Sequence, residues 1–173
     1  MYYLNTFFFY SIIGHLMESI IYLFCDGESG ILFGFWTPVY GIGVVILFWF
    51  YESFKRKKMS KKSIIWNVFL IGFLLLTIIE CIGGYLLEAL FGIVFWNYEG
   101  LKFHIGKYIS LEISLIWGIL SLIAVFLLKP VSDKVIGKIP KWFTWILIFL
   151  ILLDVIATIL LKSNLLIFLH KLF

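Results

Sequence analysis

Charge is scarce in this chain. Of its 173 residues only 14% are Asp, Glu, Lys or Arg, against 63% hydrophobic. A soluble domain needs far more polar surface, because only part of its apolar content can hide in a core, so that class is excluded. Two cysteines, Cys25 and Cys81, are too few for a disulfide framework, and no spacing pairs them. No glycine-rich loop carries the lysine and Ser/Thr of a phosphate-binding motif, so any ATP-driven activity needs a separate ATPase subunit. There is no His-Glu-x-x-His helix and no cysteine cluster; neither a metal nor a cofactor is expected. A folded basic domain with stacking aromatics is missing, which excludes nucleic acid as a partner. The first apolar segment lacks a basic leader and a small-residue cleavage site, and reads as a retained helix.

Long apolar runs are what the chain does have. Mean hydropathy is +1.09, and several runs exceed the roughly 18 residues of a membrane-span candidate. The expected fold is an all-α polytopic membrane protein, one transmembrane domain over residues 1–173, with the bilayer as its surroundings. Five spans are predicted: residues 3–24, 38–51, 64–87, 109–128 and 142–161. The second begins near Pro38, since proline is tolerated in a first helical turn. Between the first two lie an acidic turn, "CDGESG", and "ILFGFW", a short re-entrant or interfacial piece. The closing "NLLIFLHKLF" is too short to span and is expected along the interface.

The formal charge is +4, and its placement matters more than its sum. "KRKKMSKK" holds six bases and no acid, and "KPVSDKVIGKIPK" holds four lysines against one aspartate. The positive-inside rule places both in the cytoplasm, which puts the amino terminus inside and the carboxyl terminus outside, in the cell membrane. Trp36, Trp96 and Tyr98 then mark the outer interface, and Trp49, Tyr51, Trp66, Trp142 and Trp145 the inner one. "ESIIYLF…ILFGFW…VYGIG" echoes "ECIGGYLLEALFGIVFW…LIWGIL". Read as a repeat, it implies a parallel duplication of a helix pair plus one extra helix; chance similarity in an aromatic-rich chain is the alternative.

Ionisable residues sit where they are expensive. On helical spacing Ser11, His15, Glu18 and Tyr22 share one face of the first span. Thr77, Glu80, Cys81, Gly84 and Glu88 make a comparable stripe on the third, and Asp154 and Thr158 a sparser one on the fifth. Each charge at a helix centre costs roughly 2.5–3.5 kcal/mol on insertion scales. Several at one depth therefore point inward, around an acidic cavity open to the outside, with Glu112 near its mouth. His15 within the span and Lys102, His104 and Lys107 on the outer loop are the bases that can meet these acids. Trp96 and Tyr98, at the same mouth, complete the set of ligand-binding candidates. Polar residues that merely fix helix packing are the competing reading for each. Ser114, Gly118 and Ser121 form a small-residue stripe suited to close helix contact.

"FFFYSIIGHLMES", "GFWTPVYGIG", "FWNYEG…F…GKY" and "SLIWGIL" resemble the small bacterial membrane proteins of the ABC-transporter type IV permease family, CmpB-like, over nearly the whole chain. Where that family usually has Gly-Pro, Trp-Asp-Tyr and Gly-Arg, this chain has Thr37-Pro38, Trp96-Asn97-Tyr98 and Gly106-Lys107. The resemblance implies a permease with an ATPase partner, for which "VSDKVIGKI", with Val135 and Ile136, is the one credible docking element. The leading expectation is a small transporter whose acidic site, Glu18 and Glu80 tuned by His15, binds a cationic or amine-bearing solute or a lipid headgroup. An intramembrane enzyme acting on lipids, with Glu18 and His15 as acid–base groups, and an accessory subunit of another membrane protein remain alternatives. A homo-oligomer is compatible with all three.

Overall fold

The computed structural model describes residues 1–23, 30–92 and 94–172, the side chains of residue 22 and of residues 162–172 excepted. Almost all of it is helix, because backbone groups in lipid must find their partners within their own segment. Among the described residues the helices form five rods. The first is α1 (Tyr2–Tyr22) and the second α2 (Pro38–Arg56). The third is α3 (Lys61–Ile71) and α4 (Thr77–Phe91), joined through a π-helical stretch at Gly72–Leu76. The fourth is α5 (Leu111–Leu122) and α6 (Lys129–Ile136), joined through a second one at Ile123–Leu128. The fifth, α7, runs unbroken over Lys141–Leu172. The third–fourth connection carries a two-stranded antiparallel ladder, β1 (His104–Ile105) against β2 (Ile109–Ser110).

Four of these helices are long and apolar enough to cross a membrane: Tyr2–Ile21, Lys61–Phe91, Leu111–Ile136 and Lys141–Leu161. The second rod, α2, is not among them: it has 19 residues and carries Glu52, Lys55 and Arg56 in its last turns. The all-α polytopic architecture follows the expectation. The helix ends obey local rules. Pro38 opens α2, the Ser60 side chain accepts the Ser63 N–H at the start of α3, and Gly92 closes α4 in the left-handed region at φ +68°. Pro130 stands inside the fourth rod, directly after its π stretch. Its missing N–H and its clash with a preceding carbonyl are accommodated by the wider turn.

Both hairpins, α1/α2 and α3–α4/α5–α6, start and finish at the lysine-rich end, so they run in the same sense. Tyr10, Leu47, Phe48, Ile64, Val68, Ala124, Val125 and Ile136 form the shared core toward that end. Around the circumference large apolar side chains such as Leu74, Ile82, Ile119 and Phe149 are exposed, as lipid-facing positions should be. Close contacts depend on missing side chains. A Cβ on Gly41 would sit 2.2 Å from Ser11 Oγ, one on Gly72 2.0 Å from Ser121 Oγ, and one on Gly118 2.5 Å from the Phe69 ring. The Ser114, Gly118 and Ser121 stripe is buried at this contact, as its composition suggested.

The lysine-rich end is tied by a buried cation. Lys129 lies 2.7 Å from Asp133 and 3.2 Å from Glu52, and its ammonium also donates to the Tyr2 hydroxyl at 3.1 Å. Tyr10 and Ser132 share a 2.9 Å bond, and Asn5 meets both Thr144 and the Ile136 carbonyl. Together these pin the start of α1 to α2, α6 and α7.

Three expectations change. The closing segment does not leave the bundle as a separate piece: no Gly or Pro interrupts residues 141–172, and the backbone continues as one helix through Leu172. Of the five spans expected, four helices are long and apolar enough to cross a membrane, α2 falling outside that measure, and residues 31–35 of "ILFGFW" form a strap of successive bends ahead of it. "VSDKVIGKI" is not an independent amphipathic helix, for α6 extends α5 and Ile136 is 1% exposed in the core. The turn expected at residues 25–29, with Cys25, lies outside the described residues.

Candidate functional site

At the end opposite the lysines, α1 turns its polar face inward. Gly14 makes room for the Tyr40 ring, which would stand 2.3 Å from any Cβ there. Glu18, one turn on, is half-buried. Its Oε2 accepts the Thr37 hydroxyl at 3.2 Å, and the Tyr40 side chain and the Gly30 backbone also bond it. His15 is 8% exposed, and its Nδ1 finds no partner among the described residues. That nitrogen faces the strap, where a Cβ on Gly30 would come within 3.2 Å of it. With φ at +71°, Gly30 also adopts a backbone that other residues rarely reach. The strap therefore lies directly over the histidine, with the Phe35 ring edge-on to the imidazole at 5.7 Å.

Glu80 on α4 has a parallel environment. Its Oε1 accepts the Tyr98 hydroxyl at 2.5 Å and its Oε2 the Trp117 indole N–H at 2.8 Å. The Tyr40 and Trp117 rings meet edge to face with centroids 5.8 Å apart. The result is a row, Glu18–Tyr40–Trp117–Glu80, close enough that Glu80 feels the charge of Glu18. No lysine or arginine among the described residues forms an ion pair with either acid. One turn toward the core, Thr77 donates to Ser114 at 2.7 Å, closing the row from below.

The other expected site residues divide. Asp154 on α7 comes to the same end but serves the strap: it accepts the Phe33 and Gly34 N–H groups at 2.9 and 2.8 Å, the Trp36 indole at 2.6 Å and Thr158 at 3.2 Å. Glu112 accepts Ser110 Oγ at 2.6 Å and the Phe103 N–H at 3.1 Å, fixing the ladder to the start of α5. Lys107 pairs with Glu88 at 2.6 Å, away from Glu18 and Glu80. Glu88 holds the Lys107 ammonium above the usual lysine range, and burial together with Glu88 pushes the Tyr108 hydroxyl up. Lys102 lies over the Phe103 ring and His104 bonds the Gly106 carbonyl, both exposed. Trp96 packs edge-on against Tyr108 at 5.7 Å. Tyr22's side chain is outside those described.

Three donors to the acids, Thr37, Tyr40 and Trp117, were not among the expected site residues. A signal for two of them existed. Tyr40-Gly41 and Trp117-Gly118 are the aromatic-glycine pairs of the sequence echo, and each bonds the glutamate of its own half.

No curated protein and no solved structure matches the chain. A family model described as "Putative ABC-transporter type IV" matches residues 5–161, which takes in all five rods and both glutamates of the row. By that match over most of its length, this multi-pass membrane protein belongs to the ABC-transporter type IV family.

Proposed function

We propose that the chain is a transporter membrane subunit in which Glu18 and Glu80 recognise a cationic or amine-bearing solute. The observation that carries this reading is the row itself: two carboxylates within the bundle, each bonded by neutral donors and neither ion-paired among the described residues. A bilayer-embedded carboxylate is costly unless protonated or met by a cation. Two of them at the ends of one row make a region that a positive charge would relieve. Tyr40, Tyr98 and Trp117 add aromatic surface, which favours an ammonium group. No three His, Cys, Asp or Glu side chains converge among the described residues in a way that would suit a metal ion.

The lysine-rich end supports an amino terminus in the cytoplasm, an orientation in which the row would open to the outer side. An ATPase partner, which the family implies, would meet that lysine-rich end. The deciding experiment is uptake of amine-bearing solutes into vesicles carrying the purified subunit with its partner. Glu18→Gln and Glu80→Gln should each abolish uptake while the protein stays folded. Uptake intact in both variants would remove the reading.

A further inference from the structure

The strap and α7 enclose a feature that the glutamate row does not use. An open groove of about 370 Å³ lies between them, walled by Phe33, Trp36, Leu150, Leu153 and Ala157, with Asp154 at its polar point. The groove is shallow and open along its length, so a molecule in it would keep one side toward the surroundings. Leu150, Leu153 and Ala157 follow three-to-four spacing on one helix face and span about 10 Å along its axis. An apolar slot parallel to a membrane helix has the direction of a lipid chain.

Asp154 gives that slot a charge. Its oxygens accept two backbone N–H groups, an indole and a hydroxyl, all neutral, and no lysine or arginine among the described residues pairs with it. Trp36 supplies an aromatic wall beside the carboxylate, and Phe33 and Phe35 are 56% and 77% exposed along the strap. A negative charge at the head of an apolar slot, flanked by aromatic rings, complements a positive head on an alkyl chain.

We propose that this groove binds a membrane-partitioned alkylammonium amphiphile, chain along α7 and head at Asp154. Neighbouring residues link the groove to Glu18, since Trp36 bonds Asp154 and Thr37 bonds Glu18. The inference deepens the transport reading, on which it rests for its meaning, by making the solute an amphiphile that arrives sideways from the bilayer.

The test uses the full chain in phosphatidylcholine nanodiscs, with dodecyltrimethylammonium bearing a terminal bromine as the probe. Tryptophan quenching and the shift in Tm are read together. The probe should quench saturably and raise Tm; bromododecanol should do neither, and dodecyl sulfate and tetramethylammonium should not raise Tm. Ala157→Phe fills the slot without touching the bonds of Asp154. It should lower affinity about tenfold, the scale of one or two buried methylenes. Asp154→Asn should do the same, and Gly100→Ala, outside both the groove and the row, should leave groove affinity unchanged.

Equal binding of the alcohol would overturn the proposal, as would affinity indifferent to Ala157→Phe, or a probe effect traced to a change in oligomeric state. If Glu18→Gln abolishes binding and Ala157→Phe does not, the amphiphile sits in the row; the groove inference then falls and the transport reading stands. If the groove variants behave as expected but uptake survives Glu18→Gln and Glu80→Gln, the transport reading falls instead.

Discussion

Tyr40 and Trp117 touch edge to face at 5.8 Å, and each bonds the glutamate of its own hairpin. Each half of the chain thus contributes one acid, and one aromatic donor to each acid meets its counterpart in the middle; Tyr98 is a second aromatic donor to Glu80.

Tyr40→Phe removes a donor atom and keeps the ring, while Trp117→Phe removes a donor atom together with one of the two fused rings. Tyr40→Phe and Trp117→Phe should each destabilise the folded protein by about 1–3 kcal/mol, the scale of a lost bond to a buried polar group. Because the rings touch, the double variant should depart from additivity by about 0.5 kcal/mol or more. Thermal unfolding in detergent, with uptake measured in parallel, gives both numbers.

Gly14 tests the seat of Tyr40. Gly14→Ala places a methyl 2.3 Å from the ring and must push it off Glu18, at a cost of about 1–3 kcal/mol. Gly100→Ala, with nothing within 4 Å, is the matched control and should change neither stability nor uptake.

Orientation is open to labelling. With Cys25 and Cys81 replaced by serine, a cysteine at Ser60 should react with an impermeant maleimide only after the inner face is exposed, and one at Gly100 should react from outside. Reaction of the Ser60 position in intact cells would invert the topology.

The lysine-rich end separates docking from folding. Ile136→Asp should fail to fold, since that side chain is in the core, while Val135→Asp, at a position 50% exposed, should fold and lose association with an ATPase partner. Co-purification and Tm distinguish the two. An Ile136→Asp protein that folds normally would contradict the packing.

The outer connection has its own pH response. Lys107 and Tyr108 both titrate above their ordinary values, 10.5 and 10.0. A raised value means that the contribution is complete below the ordinary value and is lost as pH rises through the folded one. Residues 94–110 should therefore stay docked on α4 across the neutral range and loosen only in strong alkali, read by protease sensitivity. Lys107→Met should loosen them already at neutral pH.

Much of this was legible in the residues. Apolar runs predicted the rods, and the lysine clusters predicted which ends come together. Expense alone singled out Glu18 and Glu80. What could not be read was how the donors reach them: Thr37 approaches from just ahead of α2, where no local pattern marks it, and the echo that pairs Tyr40 with Trp117 does not say that either bonds an acid. Asp154 shows the same limit more sharply: half of its partners are backbone N–H groups, which every residue but proline carries. Helix α7 was cut short by reasoning from span length, although its sequence holds no breaker. Periodicity did give α6 an apolar face, but not the fact that the protein's own α1 covers it.

The π stretch at Gly72–Leu76 holds the azimuth of α4. A wider turn admits residues that an α-helix would not, and each residue added or removed rotates everything beyond it by roughly 100°. Glu80 follows that stretch by four positions. Deleting a single residue there would leave the rod almost as long and as apolar, yet swing the carboxylate away from Trp117 toward the lipid. The facing of the second acid is thus encoded by count rather than by identity, so length in this stretch is constrained even where side chains are free to vary.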